Sequence, residues 1–303
     1  MNDDGAFVEL LAELKSRNYH FTAVTPETHA RVLSRPPKAE QDLRDIFGWN
    51  REFALEALDR PLFELLRRAG AVKETGGGFR SRMRVASLGR DLFLHSRFPT
   101  STADSVFFGP DTYRFVRFIE QASPLLARAS WLVDMGTGSG AGAIRAARHA
   151  PRARVTLIDC NPLAIRLARL NATSANVKVE AAVGTDIPDG CDIIIANPPY
   201  MMDSEHRAYR DGGATFGGET ALNWVRQGLK ALAGEGAFLL YTGAAIVAGR
   251  TPLQEAIAEL CAEAGVKMEV EELDPDVFGE ELDRRGYEEV ERIAVLGITM
   301  IKS

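Results

Sequence analysis

Histidine and cysteine are scarce in this chain: five and three among 303 residues. The histidines form no His-Glu-x-x-His or paired pattern, and Cys160, Cys191 and Cys261 stand apart without metal-ligand spacing. A catalytic metal is therefore not expected. The three cysteines read as buried free thiols in a reducing compartment, and the expected location is cytoplasmic. No apolar run approaches the length of a membrane span. The opening Met1-Asn2-Asp3-Asp4-Gly5 is acidic and lacks the apolar stretch of a secretory leader. Basic residues are not in excess either. The net charge of −6 argues against tight non-specific binding to nucleic acid, which wants a basic face, though not against a local basic patch. No internal repeat or low-complexity tract is visible.

What is present is an ordinary globular composition, 46% hydrophobic and 26% charged, enough for a full core in one large or two medium domains. The first hundred residues differ from the rest. Helical spacing covers Phe7 to Arg17, and Thr25-Pro26-Glu27 has the form of an N-cap followed by proline. Further helices are predicted over Glu40 to Phe47, Glu52 to Leu58 and Pro61 to Ala69. Beyond Val72 the pattern turns strand-like, with a turn at Gly76-Gly77-Gly78 and extended pieces at Phe79 to Leu88 and Asp91 to His95. Helices followed by a hairpin suggest a winged-helix-like recognition domain over residues 1–100. Arg80, Arg82 and Arg84 alternate, which places them on one face of a strand. That face is a wing for nucleic acid or an acidic substrate, or else a plain solvated surface.

From Trp131 the pattern alternates strand and helix. Strands are predicted at Trp131–Met135, Val155–Asp159, Val177–Ala182, Asp192–Ala196, Ala237–Thr242, Lys267–Glu272 and Arg292–Ile301. Helices are predicted at Ala141–His149, Pro162–Leu170, Thr220–Leu232 and Pro252–Ala264. This is an α/β pattern with a mainly parallel sheet covered on both faces, spanning residues 101–303.

Two turns in this half carry chemistry. Asp134-Met135-Gly136-Thr137-Gly138-Ser139-Gly140 joins the first strand to the first helix, where glycines permit a tight turn and close ligand approach. About twenty residues on, Asp159 ends the next strand, where a carboxylate can accept from both hydroxyls of a ribose. Both features suit a dinucleotide or S-adenosylmethionine. The glycine spacing is GxGxG, whereas the dinucleotide fingerprint is GxGxxG. Asp134 would repel a pyrophosphate, but it can hold an amino-acid end or order the loop. The second turn, Asn197-Pro198-Pro199-Tyr200, closes the fourth strand. Two prolines remove backbone donors, so the corner presents acceptors: the Asn197 side-chain oxygen and the Pro198 carbonyl. A planar –NH2 group can dock there by both hydrogens, with the Tyr200 ring over its flat group.

The motifs Asp134–Gly140, Asp159-Cys160-Asn161-Pro162, Asn197–Tyr200 and Gly217-Gly218-Glu219 resemble class I methyltransferases of the HemK-like group. That group includes release-factor glutamine N5-methyltransferases. The resemblance runs from about Phe107 to the C-terminus. It implies a Rossmann-like sheet of seven strands with the last antiparallel. It also implies S-adenosyl-L-methionine bound through Gly136, Gly138 and Asp159, and a target nitrogen held by Asn197, Pro198, Pro199 and Tyr200. Further donor-binding candidates are Asp134, Thr137, Gly140, Asn161 and Asn197, with Asp186 toward the adenine and Phe108 and Thr112 closing over the donor. Catalytic roles fall to Asn197, Pro198 and Tyr200. The segment Phe107 to Phe115 lacks the group's Arg-Pro-Glu-Thr-Glu wording, and the first hundred residues depart from its helical bundle. The expected activity is N-methylation of a planar amide or exocyclic amine, in a protein glutamine or an RNA base. A small metabolite is the alternative acceptor, and a DNA-binding S-adenosylmethionine sensor the rival from another class.

Overall fold

The computed structural model describes residues 3–38, 40–203, 207 and 209–302. Met1 and Asn2 of the acidic opening segment lie outside them. The N-terminal region holds α1 (Asp4–Ser16), α2 (Pro26–Leu33) and α3 (Arg60–Arg68). Thr25 caps α2 as its sequence predicts, accepting from the Thr28 amide at 3.2 Å. Four short strands follow: β1 (Val72–Thr75), β2 (Gly78–Ser81), β3 (Met83–Leu88) and β4 (Asp91–Ser96). They pair as two separate antiparallel hairpins, β1 with β2 and β3 with β4. Two hairpins thus stand where the sequence pattern suggests one wing.

Three N-terminal expectations need correction. The helix predicted over Glu40 to Phe47 is a single π-type turn at Arg44–Gly48. The Asp42 carboxylate takes the amides of Arg44 and Asp45 at 2.8 and 3.0 Å, so a local turn competes with an α-helix. The helix predicted over Glu52 to Leu58 shrinks to a 3-10 turn at Leu55–Ala57, because Phe53 exchanges both backbone bonds with Phe79 at 2.8 Å. Arg80, Arg82 and Arg84 do not share a face. The Ser81 hydroxyl accepts the Met83 amide and donates to the Met83 carbonyl, and the chain turns there. Arg84 then points inward, 4% exposed, and Arg80 lies 3.8 Å from Glu52.

The second region runs α4 (Pro110–Gln121), α5 (Ser123–Leu126), β5 (Trp131–Met135), α6 (Ala141–Ala147), β6 (Arg154–Asp159), α7 (Pro162–Ser174), β7 (Glu180–Val183) and β8 (Cys191–Ala196). It continues with a tight turn α8 (Ala214–Gly217), then α9 (Glu219–Ala231), β9 (Leu232–Ile246), α10 (Pro252–Ala264), β10 (Val266–Asp274) and β11 (Arg292–Lys302). The seven strands form one sheet in the order β10-β11-β9-β8-β5-β6-β7, and β11 is antiparallel to both neighbours. Central strands alternate their side chains between two buried layers. Ile193 and Ile195 of β8 enter one core, Ile194 and Ala196 the other. That is the period-2 pattern of a sheet covered on both faces.

The N-terminal core continues into the second region. Phe7, Leu10, Leu14 and Leu66 pack with Ala164, Leu167 and Leu170 of α7. Asn171 of α7 is fully buried and acts as an extra strand edge for β4. It accepts the Leu94 amide at 2.8 Å, donates to the Leu94 carbonyl at 3.1 Å, and reaches the Ser139 carbonyl at 2.9 Å. Parallel strands place their carboxyl ends together, so the turns after β5, β6, β7 and β8 converge on one rim.

Candidate active site

A cavity of about 670 Å³ opens at that rim, within the range of small-molecule sites. Gly136, Gly138, Asp159, Asn161, Thr185 and Asn197 all face it. The glycine-rich turn has φ of +69° at Gly136, +54° at Gly138 and +80° at Gly140, values that residues with a Cβ rarely adopt. A Cβ on Gly136 would lie 2.4 Å from the Trp224 ring. At Gly138 nothing but the Gly136 carbonyl comes within 4 Å, so a side chain there would occupy the cavity.

Asp134 does not reach the cavity. It orders the loop, accepting the Thr137 hydroxyl at 2.8 Å and the Ala143 amide at 3.0 Å. Full burial pushes its carboxyl up to about 7, against the opposing pull of these two bonds. Asp159 lines the cavity and spends one lone pair of each oxygen on the protein, taking the Gly138 and Asn161 amides at 2.9 Å. Burial raises its pKa too. Its remaining lone pairs suit a pair of ribose hydroxyls. Asn161 also borders the cavity, but its side chain caps α7 through the Leu163 amide and donates to the Asp104 carbonyl at 2.7 Å.

Other candidates separate. Thr112 lines the cavity and accepts the Gly109 amide at 3.3 Å. Phe108 faces away, packed against Phe93 and Tyr113, and its neighbour Phe107 lines the cavity. Gly140 is spent on the helix start, where a Cβ would meet Ala168 at 3.1 Å. Asp186 is exposed and outside the lining, whereas Gly184 and Thr185 belong to it. Cys160 departs from the expectation of buried thiols. It is exposed and borders the cavity beside Asp159, while Cys191 and Cys261 are buried.

The acceptor turn adjoins the glycine loop, because β8 pairs in parallel with β5 and Ala196 is the register partner of Met135. Asn197, Pro198, Pro199 and Tyr200 all line the cavity. The Asn197 Oδ1 is buried and has no hydrogen-bond donor among the described residues. Such an orphan acceptor is costly in the free protein, about 1–3 kcal/mol, unless a ligand supplies a donor. Tyr200 is placed differently from the expectation of a ring lying over a substrate. It is 8% exposed, its ring packs where a Cβ on Gly243 would come within 2.2 Å, and its edge meets Phe278. Its hydroxyl donates to Asp111 Oδ2 at 2.8 Å. The loop after the turn lies against its backbone. The Gly212 amide donates to the Met201 carbonyl at 2.7 Å, and a Cβ on Gly217 would sit 2.3 Å from the Tyr200 carbonyl oxygen. Tyr209 stacks on Phe107 and donates to the Thr100 carbonyl at 2.7 Å, joining this loop to the N-terminal region.

Sequence reasoning passed over Asp111, Tyr241, Phe107 and Trp224. The first clue to Asp111 is its place after Gly109-Pro110, where a helix begins.

The glycine cradle, the cavity-facing Asp159 and the orphaned Asn197 oxygen fit a bound S-adenosylmethionine beside a nitrogen-bearing acceptor. Comparison with known proteins agrees. The methyltransferase small domain family matches residues 117–240. The chain is 34% identical over 112 residues to the release factor glutamine methyltransferase of Mycolicibacterium smegmatis, covering 33% of this chain and 40% of that protein. It thus spans less than half the length of that relative. It is 33% identical over 216 residues to the protein of the same name from Mycobacterium leprae, covering 65% of this chain and 72% of the relative. Among solved structures, Trm5b from Pyrococcus abyssi matches with a TM-score of 0.51 at 17% identity, over 82% of this chain and 69% of that one, a likeness of fold alone. Taken with the motifs, these matches place the chain in the HemK-like group of class I S-adenosylmethionine-dependent methyltransferases.

Proposed function

We propose that this protein methylates a side-chain amide nitrogen of a protein, a glutamine first, with S-adenosylmethionine as donor. The observation that carries this reading is the buried Asn197 Oδ1 without a donor on the cavity wall. An acceptor left open beside a donor-binding loop calls for an N–H, and the Asn-Pro-Pro corner calls for two on one nitrogen. An amide nitrogen is a poor nucleophile because its lone pair is conjugated. Asn197 Oδ1 takes one N–H and the Pro198 carbonyl the other, which draws the N–H bonds out of the amide plane, weakens the conjugation and leaves the lone pair facing the methyl group. When bound, the donor supplies an electrophilic methyl group on a sulfonium. Gly136 and Gly138 leave room for it, and Asp159 holds its ribose. Alignment of this kind contributes several kcal/mol, up to about 7–11 in the best cases. The methylated nitrogen becomes acidic and loses its proton to water, so no strong base is required.

The protein reading is preferred to an RNA base on two grounds. Curated relatives are named for a release-factor glutamine. The net charge is −6 and the Arg80–Arg82–Arg84 stripe does not exist as a surface. A small metabolite remains the alternative acceptor. The test is transfer of an isotopically labelled methyl group from S-adenosylmethionine into fractionated lysate. Label in the protein pool, recovered as N5-methylglutamine, supports the reading. Label confined to RNA or to small molecules overturns it.

A further inference from the structure

The acceptor turn has few handles. Pro198 and Pro199 donate no backbone bond, and the Asn197 oxygen is kept open. Yet a displacement of about 1 Å at such a corner can cost on the order of 10²-fold in rate. The handle is the Tyr200 hydroxyl, and its partner is unusual. Asp111 is 5% exposed and accepts three donors from three different places. Tyr200 reaches Oδ2 at 2.8 Å, and Tyr241 of β9 reaches Oδ1 at 2.9 Å. Arg114, one turn along α4, reaches Oδ1 at 3.2 Å, while its other nitrogen pairs with Asp274 at 2.8 Å. A carboxylate so buried is tolerated because two donors meet Oδ1 and one meets Oδ2, although burial still raises its pKa, and the residue also borders the cavity. Tyr241 itself is fully buried, on a strand paired to both β8 and β11. Asp111 therefore links the start of α4, the centre of the sheet and the turn after β8.

We propose that Asp111 is the positioning residue of the acceptor turn, clamping Tyr200 through its hydroxyl, with Tyr241 as the second jaw of the clamp. The assignment rests on the reading of Asn197 as a nitrogen dock. It acts on rate through geometry, and it commits the Tyr200 hydroxyl to Asp111. Tyr200 then neither receives nor gives the proton of the methylated nitrogen. Arg114 and Asp274 extend the clamp to the loop bearing Phe278, which meets the Tyr200 ring edge at a centroid distance of 6.0 Å.

The experiment compares Asp111→Asn, Tyr200→Phe, their double variant and Tyr241→Phe. It measures labelled methyl transfer, donor affinity by calorimetry, and amide hydrogen exchange at residues 200–203. Asp111→Asn and Tyr200→Phe should each slow turnover about 10- to 100-fold, with donor Kd and acceptor KM within about threefold. The double variant should be no worse than the weaker single, since both cut one linkage. Tyr241→Phe, which cuts only the second bond to Asp111, should slow turnover a few-fold. Exchange at residues 200–203 should rise in every variant. Additive losses would mean that Asp111 meets the substrate directly, which overturns the clamp. Unchanged exchange in Asp111→Asn and Tyr241→Phe also overturns it. If exchange rises while the wild-type chain transfers no label to any pool, the clamp stands and the nitrogen-dock reading fails.

Discussion

Replacing Asn197 by alanine separates stability from function in opposite directions. In the free protein the Asn197 oxygen is buried without a donor, at a cost of about 1–3 kcal/mol. Alanine removes that cost and gives up some contact made by a half-buried side chain. The net effect on folding should lie between zero and about 1 kcal/mol of stabilisation. At the transition state the balance reverses. The docked nitrogen carries growing positive charge, so its bond to Oδ1 is charge-assisted and contributes about 1.5–3 kcal/mol. Its loss also leaves a buried N–H unpaired, about 1 kcal/mol more. Together these predict that turnover slows by about 10²- to 10³-fold, since each 1.36 kcal/mol is roughly tenfold. Donor binding should change little, because the contacts assigned to the donor come from Gly136, Gly138 and Asp159, which the substitution leaves in place. Urea melts, donor calorimetry and labelled methyl transfer measure the three quantities on the same preparation. Turnover within about tenfold of wild type, or a clear loss of urea midpoint, would refute the reasoning.

Three further outcomes follow from the geometry. Cys160 is the one exposed thiol among the three cysteines and borders the cavity, so a maleimide should add once, and saturating S-adenosylmethionine should slow the labelling at least about fivefold by mass spectrometry. Asn171→Ala strips three buried hydrogen bonds that join α7, β4 and the glycine loop; at about 1–3 kcal/mol for each unsatisfied partner, chemical denaturation should show a loss of at least about 3 kcal/mol. Asp134 is held near pH 7 by burial, a raised carboxyl pKa, so protonation favours the folded free protein below about 4 and that contribution is lost as pH rises through 7. A cationic donor beside the Asp134-ordered loop favours the carboxylate. Donor binding at pH 7 should therefore release up to about half a proton, seen as buffer-dependent heat in calorimetry and absent in Asp134→Asn.

The turns were legible because their chemistry is local. A glycine at positive φ, a carboxylate at a strand end and an Asn-Pro-Pro corner each declare themselves within a few residues, and the alternation of Ile193 to Ala196 between two cores follows from strand period alone. The N-terminal region was less legible for the opposite reason. Phe53 spends its backbone bonds on Phe79, and Asp42 captures nearby amides, so contacts outside the helical window override helical spacing. Arg84 could not be told from a surface arginine until the turn at Ser81 rotated it inward.

By itself the sequence determined a parallel-rich sheet, a donor loop and an acceptor corner at the strands' carboxyl ends, because backbone conformation and strand order are written in short-range residue chemistry. Only the tertiary structure decided which side chains face the cavity. It turned Phe108 into the core and Phe107 toward the site, left Asp186 outside, spent Asp134 on the loop, and brought Asp111, Tyr200 and Tyr241 together across 89 and 130 positions of chain. Such meetings depend on which buried polar groups find partners once the sheet has closed, and no local pattern records that pairing.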